Sequence, residues 1–312
     1  MTGAGSLAGP LKGCLALVIL LWGLAVAPPP AIAQGLPFLF EAGAAVETPA
    51  GAAYGPAALM SELAAADVVY LGETHTRAAD HLAELAILQA LYAEQPRLAI
   101  ALEMFQQPFQ PVIDRYLAGE IDEITLRQQS EYESRWGYPW AYYAPILRFA
   151  RSHEIPVIAL TAPAEATERV SRKGPQALQP ADERYIPPVA EWMIGPPDYR
   201  QFMLRIYKDI HQGLGVGQGF DRFFAVQILW DETMAAAIAR LHQASDRPVL
   251  VIAGQGHVIY DFGIPSRVQR RLGPTVAQQT VLLNPVEAFE IETAQPIGDF
   301  LWRSPMMAEL EE

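Results

Sequence analysis

Two short motifs of the same form carry most of the reactive side chains. Gly72-Glu-Thr-His75 and Gly254-Gln-Gly-His257 are both Gly-x-x-His turns, and each follows an apolar run. Glycine permits a sharp turn and close backbone approach, so each histidine is expected to project over the end of the run before it. Glu103 follows a third apolar run, Leu98-Ala-Ile-Ala-Leu102. Imidazole and carboxylate together suit a borderline divalent transition metal, or general acid–base work on water. Glu73, His75, Glu103 and His257 are therefore the candidate catalytic and metal-ligating set. The competing reading makes the histidines structural and the carboxylates helix N-terminal groups favoured by the macrodipole.

Three further polar residues lie on apolar helical faces. His81 shares a face with Leu85, Leu88 and Tyr92, and is either a site residue or a core histidine with its own partners. Gln227 falls on the stripe Phe223, Trp230, Met234, Ile238 and Leu241, and Asp231 borders it. Polar groups there should have hydrogen-bonding work, supporting a site or the core. The cluster Trp136-Gly-Tyr-Pro-Trp-Ala-Tyr-Tyr143 is either local packing at a helix entry or a wall for a flat apolar ligand. In the second case Tyr142 or Tyr143 could reach iron. Gly213-Leu-Gly-Val-Gly-Gln-Gly219 lacks phosphate-loop spacing and reads as a loop able to cover a site. His153 reads as a helix C-terminal residue, His211 as an exposed ligand candidate and His242 as surface.

The elements that must position these groups are short and apolar. Strands are expected at 67–71, 98–102, 156–160, 249–253 and 280–283. Their continuous apolar character belongs to a parallel sheet covered on both faces. Helices are expected near 77–94, 108–118, 122–134, 143–153, 198–211 and 220–242. The alternation implies an α/β fold: a central, mostly parallel sheet with helices on both faces and helical insertions at about 104–155 and 162–247. The Pro-rich segment 172–197 should be irregular. In such sheets ligands bind beyond the carboxyl ends of the strands, the edge at which both Gly-x-x-His turns and Glu103 fall.

The chain has 312 residues, 51% of them apolar, enough for a full core. Its net charge of −13 argues against a nucleic-acid partner. One cysteine excludes an intrachain disulfide framework and Cys-rich metal clusters. Residues 1–33 read as a cleavable signal peptide, with Lys12, an apolar run from Cys14 to Val26, and Ala31-Ile-Ala33 at the cleavage point. The mature domain is then 34–312, cysteine-free and exported, which suits a bacterial periplasm. Cys14 precedes the apolar run, whereas a lipoprotein cysteine follows it, so a lipid anchor is not expected.

Several runs together resemble the ChaN-like haem-binding uptake family. They are Leu71-Gly-Glu-Thr-His75 with His81, Leu102-Glu-Met-Phe105 with Gln110, and Trp136 followed by Tyr143-Ala-Pro-Ile-Leu-Arg-Phe-Ala150. Gln227-Ile-Leu-Trp-Asp231-Glu-Thr-Met-Ala235 and Ala253-Gly-Gln-Gly-His257-Val-Ile-Tyr-Asp-Phe-Gly-Ile-Pro265 complete the series. That family belongs to a wider group with paired Gly-x-x-His motifs, including erythromycin-esterase-like hydrolases and Tiki-type proteases. The resemblance implies a periplasmic or membrane-associated protein that binds haem in an iron-uptake setting. Tyr143, Tyr142, His81, Gln227 and Asp231 become the cofactor-binding candidates, and Arg77, Arg148 and Arg267 the candidates for the haem propionates. Haem is the expected partner; a homodimer and outer-membrane haem-uptake machinery are compatible with this setting. The alternative is a metal-dependent hydrolase at the paired Gly-x-x-His site. A third reading is a binding or scaffold protein whose site is inert.

Overall fold

The structure, a computed structural model, describes residues 35–211 and 219–305. The leader-like segment and most of the glycine loop thus lie outside the described residues. Eight strands form one sheet: β1 (Ala45–Glu47), β2 (Ala53–Tyr54), β3 (Val68–Glu73), β4 (Ala99–Gln106), β5 (Val157–Thr161), β6 (Val249–Gly254), β7 (Gln278–Leu283) and β8 (Phe300–Arg303). Their order is β2-β1-β8-β7-β3-β6-β4-β5. The run from β8 to β5 is parallel, and β1 and β2 add an antiparallel edge.

Eleven described helices accompany the strands: α1 (Gly35–Glu41), α2 (Pro56–Ala64), α3 (Ala78–Glu94), α4 (Gln110–Leu117), α5 (Glu123–Gln129), α6 (Tyr132–Arg135), α7 (Trp140–Ser152), α8 (Ala164–Lys173), α9 (Pro197–His211), α10 (Phe220–Ser245) and α11 (Ile264–Leu272). Each central strand feeds both layers. Val69 and Leu71 of β3 pack with α1–α5 and α7, while Val68 and Tyr70 pack with α9–α11. Leu250 and Ile252 of β6 join the first layer, and Val249, Val251 and Ala253 the second. This two-sided burial is why the strands read as unbroken apolar runs.

All five expected strands are present; four are displaced by at most two residues at their ends, and β4 runs four residues further, to Gln106. The helix expected at 122–134 is two helices, because Glu131 takes a left-handed conformation (φ 53°) and breaks the ladder. Between 172 and 197 the chain makes short 3-10 turns at Pro175–Ala177, Pro180–Arg184 and Val189–Glu191. β4 carries a register shift against β5 between Leu102 and Gln106, the stretch that presents Glu103. Bulges of this kind re-aim side chains where pairing would otherwise fix them.

Candidate functional site

The parallel strands β3, β4 and β6 end side by side, and the reactive groups gather there on opposite faces of the sheet. Glu73, the last residue of β3, turns toward α3 and α7 and is buried. Its Oε1 accepts a hydrogen bond from the Tyr143 hydroxyl at 2.8 Å and lies 2.6 Å from His75 Nδ1. A carboxylate only accepts, so Nδ1 carries the proton and Nε2 is the unprotonated nitrogen of the neutral ring. Nε2 has no hydrogen-bond partner among the described residues. Burial opposes ionisation of Glu73, but the neighbouring His75, His81 and Glu84 outweigh it and hold the carboxyl far below its usual range. Burial likewise opposes protonation of His75, and Glu73 together with the charge of Glu103 overcomes it, so its pKa is raised.

Glu103 and His257 form the second half. Glu103 Oε2 accepts the Gly254 backbone N–H at 2.7 Å, and Oε1 lies 3.4 Å from His257 Nε2. His257 stands in the 3-10 turn Gln255–His257, with Nδ1 2.7 Å from Asp231 Oδ1 and 3.0 Å from the Gln227 amide. Burial pulls its pKa down, but the flanking carboxylates Glu103 and Asp231 push it up to about 10, so the ring is an imidazolium at neutral pH. Tyr199 donates to the far oxygen of Asp231, and Arg267 lies 3.9 Å from it.

Glycine at the strand ends is a matter of space. A Cβ on Gly254 would lie 2.9 Å from His75 Cε1 and 3.1 Å from its Nε2. On Gly72 it would meet Val258 Cγ2 at 2.8 Å and Leu282 Cδ2 at 2.9 Å. On Gly263 it would strike the His257 carbonyl. The two Gly-x-x-His turns thus pack against each other through Gly254, with the His75 ring lying over it.

Above them is a cleft of about 620 Å³. His75, Gly254 and His257 line its polar end; Phe223, Val226, Trp230, Ile206, Met203 and Phe289 contribute its apolar walls. None of the described lining residues is Lys or Arg.

The sequence-derived candidates divide clearly. Glu73, His75 and Tyr143 meet directly, as do Glu103, His257, Asp231 and Gln227. Tyr143 is fully buried, bonded to Glu73, and Tyr142 stacks on His81 with centroids 4.3 Å apart; neither lines the cleft. Of the aromatic cluster only Tyr138 does. Trp136 and Tyr138 instead clamp the His75 ring, at centroid separations of 4.7 and 4.9 Å. The three arginines are engaged elsewhere: Arg77 on the Asn284 carbonyl, Arg148 on Glu123, and fully buried Arg267 on Glu232 and backbone carbonyls. They are not cleft residues because each satisfies a local acceptor. His81 is buried, against Glu73 and Glu84. His153 caps α7, and His242 bonds the Arg247 carbonyl. Nothing is described of the His211 side chain. The sequence reading missed Glu84 and Tyr199. The signal for Glu84 was weak: a carboxylate three residues after His81, on a helix that also carries Asp80 and Glu94.

A family profile described as haem-binding uptake, Tiki superfamily, ChaN matches residues 59–268. A solved structure, cofacial haem binding to ChaN of Campylobacter jejuni, is 17% identical, with a TM-score of 0.67 over 84% of this chain and 96% of that one. At that identity the likeness is one of fold. An erythromycin esterase mutant in its open conformation is 12% identical over 79% of this chain and 78% of its own, at a TM-score of 0.43. Protein RETICULATA-RELATED 5, chloroplastic, of Arabidopsis thaliana is 28% identical over 255 residues, 77% of this chain. The chain spans about a third of that relative's length, 34%.

Proposed function

Because the chain belongs to the ChaN family of haem-binding uptake proteins in the Tiki superfamily, we propose that it binds haem in the cleft above the sheet edge, with His75 as the iron ligand. The observation that carries this is the state of His75. Its Nδ1 is tied to Glu73 and its ring is clamped by Trp136 and Tyr138, so an unpartnered Nε2 stands at the floor of an apolar cleft. A carboxylate on the far nitrogen fixes the tautomer and raises the basicity of a ligating imidazole. The apolar walls suit a flat hydrophobic macrocycle. Haem bound there would supply an iron that takes a nitrogen ligand; His75 would supply that nitrogen, with Glu73, Trp136 and Tyr138 orienting it and the apolar walls excluding water. With no Lys or Arg among the described wall residues, and the His257 charge taken up by Glu103 and Asp231, the propionates belong at the solvent mouth.

Haem titration of the chain should give a saturable Soret band. His75→Ala should weaken binding at least about tenfold, while Tyr143→Phe should leave it nearly unchanged. A titration without saturation, or a His75→Ala protein that binds as the parent does, would overturn the assignment. We place this activity in the bacterial envelope, in haem or iron uptake, on the strength of the leader-like segment 1–33. Recovery of a periplasmic protein beginning at Gln34 is the expected result; an unprocessed cytoplasmic chain would contradict it.

One feature favours a hydrolytic reading as well. Two imidazoles each carry a carboxylate on Nδ1, His75 with Glu73 and His257 with Asp231, on either side of Gly254. His75 Nε2 could accept a proton from water while the His257 imidazolium steadies a developing oxyanion. A divalent ion held by Glu103 and by His75 Nε2 would supply Lewis acidity there in place of that base. Ester turnover should then vanish in both His75→Ala and His257→Ala proteins, without loss of fold. Full turnover in either one rejects it.

A further inference from the structure

Beneath the cleft, on the α3 face of the sheet, three buried groups meet, of which the haem reading uses only Glu73, through its Oε1. His81 stands in the first turn of α3, Glu84 lies one turn on, and Glu73 enters from the end of β3. His81 Nδ1 is 3.0 Å from Glu73 Oε2 and 3.1 Å from Glu84 Oε2. Donor atoms of the three residues all lie within 4.8 Å of one another. We propose that Glu73, His81 and Glu84 hold a divalent first-row transition-metal ion.

The tautomer of His81 is the first argument. Its Nε2 is 3.2 Å from the His75 carbonyl, an acceptor only, so Nε2 carries a proton. In the neutral ring Nδ1 then presents a lone pair toward two carboxylate oxygens. A lone pair 3.0 and 3.1 Å from two carboxylate oxygens is repelled by them unless positive charge lies between. A proton or a metal ion can supply it.

The buried carboxylate oxygens favour the ion. Glu73 Oε2 and Glu84 Oε1 are both buried without a hydrogen-bond partner. Both carboxyl side chains are fully buried, and the ionic partner of Glu84 is His81 alone among the described residues. Burial and the charge of Glu73 push the Glu84 carboxyl well above its usual range, so protons on Nδ1 and on Glu84 also balance the charge; the two unpartnered oxygens are what favours the ion. A divalent ion balances both carboxylates with the imidazole neutral, and gives the unpartnered Glu73 oxygen a ligand role. Geometry agrees: metal bonds near 2.1 Å at right angles place neighbouring ligand atoms ~3.0 Å apart. The other groups around the ion act as supports. The His75 carbonyl holds His81 Nε2, Tyr143 holds Glu73 Oε1, and Tyr142 stacks on the imidazole. One nitrogen and two carboxylates favour Mn²⁺, Fe²⁺ or Zn²⁺ over soft ions. Such an ion would pin α3 to β3 directly under His75.

The test uses Mn²⁺ added to the full chain after chelator treatment, followed by electron paramagnetic resonance. One bound ion per chain is expected, with spin-echo modulation from a single imidazole nitrogen. Binding should be lost in Glu84→Gln and retained in His257→Ala, with circular dichroism checking that both are folded. The wild-type nitrogen count needs no variant, so a poorly folded Glu84→Gln would not blunt the test. Absence of a bound ion overturns the proposal. So does coupling to two imidazoles, or loss of binding in His257→Ala with retention in Glu84→Gln, since either would put the ion at the sheet edge.

Discussion

His75 is held on every side except Nε2. Glu73 takes Nδ1, Trp136 and Tyr138 press on the ring, and Gly254 lies under it. Gly254 has an ordinary backbone conformation (φ −58°, ψ 142°), so glycine is required there by room and not by dihedral angle. Gly254→Ala should therefore fold normally but force the imidazole aside. Haem affinity should fall about tenfold, read from the Soret titration, with the thermal midpoint within a few degrees of the parent. An unchanged titration would mean that the ring does not bind iron. The two Gly-x-x-His turns and Glu103 were legible from sequence because glycine, histidine and carboxylate have few reasons to follow apolar strands together. Glu84 was not, because one buried carboxylate on a helix looks the same as an exposed one until its neighbours are known. Tyr143 was legible as aromatic but not as buried, and Tyr142 not as half-buried, since nothing local says which side of α7 faces inward.

The turn from β3 into α3 places His75 and His81, and a buried acid holds it. Asp80 accepts the Thr74 N–H at 2.8 Å and the Asn284 side-chain N–H at 2.5 Å. Burial nevertheless dominates, raising its pKa from 3.8 to about 6. A raised carboxyl pKa means that its contribution to stability is complete below about pH 4 and is lost as pH rises through about 6. Asp80→Asn is always neutral but lacks one acceptor, so it should be less stable at pH 4. Relative to it, the parent should lose roughly 1–3 kcal/mol between pH 4 and 7, read from urea midpoints at each pH. A constant difference across that range would show that Asp80 is ionised throughout. At this scale the parallel strands were readable because helices cover both faces. β1, β2 and β8 were not, being two to four residues long and defined by pairing with distant segments. α8 escaped because only Ala166 and Val170 are buried, too few to display a helical period, and α11 because a buried arginine, Arg267, interrupts its apolar face.

The cleft is a property of the whole chain. Its walls come from the β3 and β6 turns, from α9 and α10, and from Val286 and Phe289 beyond β7. These segments are far apart in sequence, so no local pattern could announce the volume they enclose. The net charge of −13 was legible at once, and it makes a specific demand on ligand capture. Haem arrives with two anionic propionates at a cleft whose described lining has no Lys or Arg. The long-range field therefore opposes association, while the apolar walls and His75 act only on contact. Salt shortens the range of that field, from ~30 Å at 0.01 M to ~8 Å at 0.15 M. Stopped-flow association of haem should accordingly accelerate as salt rises over this interval, with the dissociation rate little changed. A ligand drawn in by cationic side chains would slow instead. Acceleration in the parent, and equally in His75→Ala, would locate the repulsion in the molecule as a whole. Slowing would mean that cationic groups beyond the described lining receive the propionates, and that they are not left at the solvent mouth.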